Sequence, residues 1–179
     1  MKQAGGIRMI EHLIVYGDEV IRKRLFDEIN NPDLILEITK DVHLQHFIMK
    51  ILKHGNAEQR SAILAAFDGK IVRLTKHKIA SKVIELAYGE FATAPQRAAM
   101  MQEFFGPAFK YFKEENVKSL SDVLAKFPSK KEEIMKDLQH GLQSILQKGI
   151  FNNSLILCLL KEYMMYCDDE ERNTVSDYF

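Results

Sequence analysis

The chain has 179 residues, a 46% hydrophobic fraction, and 25 basic against 25 acidic side chains, for a formal net charge of zero. That length and hydrophobic content support a sizeable buried core and exclude a disordered chain, while the even charge balance excludes a uniformly basic nucleic-acid binder, because phosphate neutralisation needs clustered Lys and Arg. No apolar run approaches the roughly 20 residues that cross a bilayer, and the start, MKQAGGIRMIEH, lacks the apolar core and small-residue cleavage site of a signal peptide, so a soluble intracellular protein without a membrane partner is expected.

Four prolines, nine glycines and no tryptophan, set among abundant Leu, Ile, Lys and Glu, favour an all-α fold, since little interrupts the backbone ladder. In chain order, MIEHLIVYGDEVIRKRLFDEI reads as an apolar helix, Gly17, a capping Asp18, and a second helix carrying Arg22. DLILEITK follows the Asn31–Pro32 start signal. FIMKILKHGNAEQRSAILAAF then repeats the first layout with Gly55, Asn56 and Arg60. Each glycine suits the left-handed position that ends a helix, and Asp18 and Asn56 can accept the free amides that open the next one.

KIVRLTKH comes after Gly69, and KVIELAYGEFATAPQRAAMMQEF is a third copy that keeps the tyrosine–glycine ending and Arg97 but lengthens the joint; Thr93 and Gln96 flank Pro95 as a capping box does. The period is about 36 to 38 residues, which marks a solenoid. A unit of three short helices has no way to bury its own apolar face and must stack on its neighbours.

From about Gly106 the repeat is interrupted by GPAFKYFKEENVKSLSDVLAKF. A strong helix is predicted from Ser129, with Pro128 before it and Glu132 completing a capping box, and a second apolar helix from about Asn153 to Tyr166. DDEERNTVSDYF repeats the acidic-cap-then-arginine joint with Arg172. The resulting division is residues 1–106, repeats with the first truncated, and residues 107–179, divergent linker helices and a further incomplete repeat. Both ends read as falling mid-unit, as in a piece of a longer solenoid.

In such arrays one helix per unit lines the inner surface, and two adjacent positions plus a third one turn later face the same way. The sets are Ile7, Arg8 and Glu11; Gln45, His46 and Met49; and Ser81, Lys82 and Glu85. Leu157, Cys158 and Lys161 occupy the same places in the last unit and read instead as a packed helix. Lys70, Arg73, Lys76, His77 and Lys78 precede the third set closely enough to extend one positive surface that positions a phosphate backbone. Asp168, Asp169, Glu170 and Glu171 form an acidic counterpart near the end.

HFIMKILKHGNAEQR and KHKIASKVIELAYG resemble Pumilio (PUF) repeats, and MMQEFFGPAFKYFK, SLSDVLAKFP and NNSLILCLLKEYMMY resemble the Puf-A/penguin branch in particular. The resemblance runs over nearly the whole chain. It implies a curved superhelical solenoid of three-helix repeats in a nucleolar protein of large-subunit ribosome biogenesis, binding RNA, and also DNA, with little sequence preference through basic residues. Pumilio repeats otherwise read one base each with two or three side chains. Ser81 and Glu85 match a guanine-reading pair, but Met49 has no hydrogen bond to offer a base edge and Ile7 gives only an apolar contact, so a full base code is not expected. Arg8, His46 and Lys82 suit stacking on an unpaired strand or contact with its phosphates.

Catalysis is not expected, because nothing resembles a phosphate-cradling glycine loop, a nucleophile elbow or a paired-carboxylate site. His43 and His46 lack partners for a tetrahedral metal set, no cofactor is called for, and Cys158 and Cys167 lack zinc or disulfide spacing and read as buried reduced thiols. The methionines Met100, Met101, Met164 and Met165 read as core filler. The chain is read as a monomer. A second function class, a scaffold that presents the same curved surface to a peptide or a ribosome-assembly protein, differs from the first in its response to salt.

Overall fold

The computed structural model describes residues 2–107, 117 and 119–176, and these form helices and turns with no strand among them. The first unit contributes α1 (Lys2–Tyr16) and α2 (Glu19–Asp27); the second α3 (Pro32–Lys40), α4 (Gln45–His54) and α5 (Ala57–Phe67); the third α6 (Ile71–Thr75), α7 (Ala80–Leu86) and α8 (Ala94–Gln102). After them come α9 (Leu120–Lys126), α10 (Lys131–Leu146), α11 (Ser154–Tyr166) and α12 (Asp169–Ser176). The chain is therefore an all-α stack of repeats, as its periodicity predicts. α1 packs on α4, α4 on α7, and the turn Ala87–Phe91 that follows α7 on α11. One apolar core runs unbroken from Ile14 through Phe67 and Leu74 to Tyr163 and Val175.

The joints between paired helices follow the predicted chemistry with one correction. Asp18 Oδ1 accepts from Ile21 N at 2.8 Å. At the next joint Asn56 Oδ1 accepts from Gln59 N at 3.0 Å while Gln59 Oε1 accepts from Asn56 N at 3.1 Å, a complete capping box. Gly55, however, is extended (φ −73°, ψ 168°), and Gly17 is not left-handed either; positive φ occurs instead at Gly69, Gly106 and Gly149. Close approach selects the glycines: a Cβ on Gly55 would fall 2.5 Å from Ile51 O, and one on Gly17 2.3 Å from Leu13 O.

The lengthened third joint is a π turn over Ala87–Phe91, closed by Ala92 N donating to Ala87 O at 2.7 Å, which absorbs the extra residues before Thr93. Gln96 Oε1 accepts from both the amide and the hydroxyl of Thr93, at 2.9 and 3.0 Å.

The recurring arginine has a common role at all four joints. Arg22 donates to Ile14 O and Gly17 O, Arg60 to Leu52 O and Lys53 O, Arg97 to Gly89 O, and Arg172 to Met164 O and Cys167 O. Each guanidinium, placed on the second helix of its pair, satisfies carbonyls that the first helix leaves open at its C-terminus, where a cation is favoured.

The expected capping box at Ser129 does not form. Pro128–Lys130 is a 3-10 turn, α10 starts at Lys131 without a side-chain cap, and the capping box of this region belongs to Ser119 and Asp122 at the start of α9. Proline fixes φ for a tight turn without supplying the extended N-cap backbone that a serine cap needs. Asn153 caps α11, with Oδ1 accepting from Ile156 N at 3.2 Å.

Candidate nucleic-acid interface

The predicted reading helices α1, α4, α7 and α11 lie side by side, so their equivalent positions form rows across the array. The middle position of each set faces solvent: Arg8, His46, Lys82 and Cys158 are all exposed. In the second and third sets the first position does not. Gln45 is only 3% exposed, with its Nε2 donating to Val42 O, and Ser81 only 6%, with its hydroxyl donating to Lys78 O. Successive helical side chains diverge by about 100°, so when the second points outward the first turns into the neighbouring helix.

The third position is drawn into the joint between units. Glu11 pairs with Lys50 at 3.2 Å, tying α1 to α4. Glu85 accepts from the amide and the hydroxyl of Ser154, at 2.5 and 2.6 Å, and so caps α11, while Asn153 Nδ2 donates to the Ser81 carbonyl at 3.3 Å. The pair that matches a guanine reader is thus occupied by the next helix of its own chain. Ile7 and Met49 are half-buried.

On the last unit the sequence expectation is reversed. Leu157 is 51% exposed and Cys158 and Lys161 are exposed too, so the outer face of α11 is open rather than packed, and Met165 is also exposed. Of the two thiols, Cys167 alone is buried, and burial raises its pKa. α11 presents its other side, Leu155, Ile156, Leu159 and Tyr163, to the core, which leaves Leu157 and Cys158 outward whatever their polarity.

The predicted basic stretch divides between surface and cleft. Lys70 and Lys78 are exposed; Arg73, Lys76 and His77 border a cleft of about 610 Å³ between α6 and the end of α10, lined also by Gly69, Glu103, Gly106 and Lys148. Lys148 Nζ donates to the Lys76 carbonyl at 3.0 Å. Burial, followed by repulsion from Lys148, lowers the pKa of the Lys76 ammonium. His77 Nδ1 accepts from the amides of Ile79 and Ala80, both at 3.3 Å. Glu103 accepts from Gly69 N at 2.6 Å and Ile71 N at 2.8 Å.

The model of the Pumilio-family RNA binding repeat matches residues 1–29 and 46–66, the stretches that hold α1, α2, α4 and most of α5. Pumilio domain-containing protein 12 of Caenorhabditis elegans is 35% identical over 170 residues, which are 95% of this chain and 22% of that relative. Human Puf-A superposes with a TM-score of 0.83 at 28% identity, over 92% of this chain and 32% of its own, and the crystal structure of Puf-A in complex with DNA superposes with a TM-score of 0.82. The chain is a Pumilio-repeat protein of the Puf-A-like branch.

It spans about a fifth to a third of the length of these relatives. Within this stretch of Pumilio repeats the equivalent positions of Arg8, His46 and Lys82 were legible from periodicity. Lys148 was not, because nothing in the sequence tells that the end of α10 returns to α6, 72 residues earlier. The outward face of α11 was missed because its residues are apolar.

Proposed function

We propose that this Pumilio array is a nucleic-acid-binding module of low sequence specificity, taking RNA and also DNA, and that it serves nucleolar pre-rRNA processing in large-subunit ribosome biogenesis. The observation that carries the binding reading is the row Arg8, His46 and Lys82, one exposed cationic or stacking side chain on each of three adjacent helices. Guanidinium, imidazole and ammonium groups contact phosphates and unstacked bases without demanding a particular base. Lys70, Arg73, Lys76 and Lys78 continue the positive surface beside the third helix. Gln45 and Ser81 are buried, and Glu11 and Glu85 already hold partners, which removes the side chains a base code would use and favours backbone reading. The family description and the DNA complex of Puf-A support the same reading, and the nucleolar role rests on likeness to the Puf-A branch.

Fluorescence anisotropy with a single-stranded RNA, a duplex RNA and a DNA of matched length, each at two salt concentrations, tests it. Salt-sensitive binding to all three is expected, with a log–log slope near −0.7 per phosphate contacted on a single strand. Replacing Lys76, Lys78 and Lys82 together by Glu should abolish binding. No binding at low salt overturns the reading. It would favour a protein-binding scaffold, for which the apolar groove bordered by Ile10, Ile29, Leu44 and Phe47 is the supporting observation.

A further inference from the structure

The reading surface and the cleft differ in how their cations are held. Arg8, His46 and Lys82 are separate exposed side chains, whereas Arg73, Lys76 and Lys148 converge on one concave space from two elements distant in sequence. No ion pair among the described residues engages any of the three. Two ammonium groups in proximity, the half-buried one of Lys76 and the exposed one of Lys148 held at the Lys76 carbonyl, repel each other; a protein tolerates that where an anion completes the charge balance.

The acidic groups nearby do not complete it. Both oxygens of Glu103 are directed at the Gly69 and Ile71 amides, and the Asp137 carboxylate packs on Gly106, where a Cβ would lie 1.8 Å from its Oδ2. His77 also borders the cleft. Gly69 and Gly106 both have positive φ, 70° and 78°, and bring bare backbone to the wall.

We infer that the cleft between α6 and the end of α10 is a binding site for a pair of neighbouring phosphate groups, supplied by the backbone of the bound strand. Two lysines and an arginine fork present point charges and paired donors to a doubly charged group, and the cleft volume exceeds what one phosphate fills. The source of the phosphates rests on the nucleic-acid reading above. The chemistry of the cleft does not. In this arrangement a strand lying along α1, α4 and α7 is anchored at a point off the row, between the third repeat and α10.

The test has two arms on the 179-residue chain. In the first, pyrophosphate is titrated while the amide resonances of Gly69, His77 and Gly106 are followed by NMR, with acetate at equal ionic strength as control. Saturable shifts at these amides with pyrophosphate alone support the site, and their absence overturns it whatever the RNA result. In the second, Arg73→Gln/Lys148→Gln is compared with the unaltered chain for single-stranded RNA. An affinity at least 10-fold lower, with the salt slope reduced by about 1.4 for two lost phosphate contacts, supports the strand as the source. Unchanged affinity overturns that source. If the unaltered chain binds no RNA at low salt while pyrophosphate still shifts the amides, the nucleic-acid reading fails and the cleft stands as a site for free polyphosphates. Circular dichroism melting of the variant verifies that it folds, and the pyrophosphate arm needs no variant.

Discussion

The two ends of the molecule open their helices by different means. Through residue 56 the side-chain caps are local: Asp18, Asn31 and Asn56 each accept an amide hydrogen from a residue three positions on. From α6 onward local caps continue, and three carboxylates are added from distant parts of the chain. Glu103 takes the Gly69 and Ile71 amides at the start of α6, Glu85 takes Ser154 at the start of α11, and Glu162 takes the Leu120 amide at 2.8 Å at the start of α9. Each negative group sits where the helix dipole favours it. A local cap fixes one helix; a distant one also fixes how two units meet. The first two units meet through apolar faces and the Glu11–Lys50 pair, and from the third unit onward carboxylate caps tie neighbouring segments as well.

The sharpest test of that contrast is removal of the most buried tie. Glu103→Ala should lower the unfolding free energy by about 3 kcal/mol, because two charge-assisted hydrogen bonds are lost and the Ile71 amide is left buried. Urea denaturation measures it, and a cost under about 1 kcal/mol would make the distant caps no different from the local ones. Glu85→Ala should cost about 2 kcal/mol for the loss of both bonds to Ser154. On the local side, Asn56→Ala should cost about 1 kcal/mol in the same assay.

Glu162 gives a pH signature. Burial raises its carboxyl pKa above the ordinary glutamate value, opposed by the hydrogen bond from Leu120, so the folded state holds this proton more tightly than the unfolded one. The resulting stabilisation is complete below the ordinary glutamate range and disappears as pH rises through the raised value. Glu162→Gln keeps an acceptor for Leu120 and removes the charge. Its melting temperature relative to the unaltered chain should therefore rise from pH 4 to pH 7, and a flat difference refutes the assignment. The smallest effect is expected at the partly exposed ion pair: Glu11→Gln should change stability by under about 0.5 kcal/mol, and less in high salt.

The same contrast explains what could be read in advance. A local cap keeps acceptor and donor within three residues, so Asp18 and Asn56 declared themselves as plain text. The partners of Glu85 and Glu103 lie 69 and 32 to 34 residues away, and only the packed chain brings them together. Helix register was legible too, which placed Arg8, His46 and Lys82 at equivalent positions, yet periodicity alone does not say which of two adjacent side chains looks outward. Polarity then misleads in both directions: Gln45 and Ser81 look like surface and are buried, whereas Leu157 and Cys158 look like core and are open.

The arginines of the four joints work as a ruler. Arg22, Arg60, Arg97 and Arg172 each reach back to a carbonyl eight residues earlier. At Arg97 the span holds although the intervening backbone has loosened into a π turn and the familiar glycine has slipped to the far end of the measure. What the repeat preserves is thus a length of chain rather than a shape of turn. An array built to such a gauge can take up an extra residue at one joint and still return the next helix to its place, so the direction of the track can be altered without breaking its links.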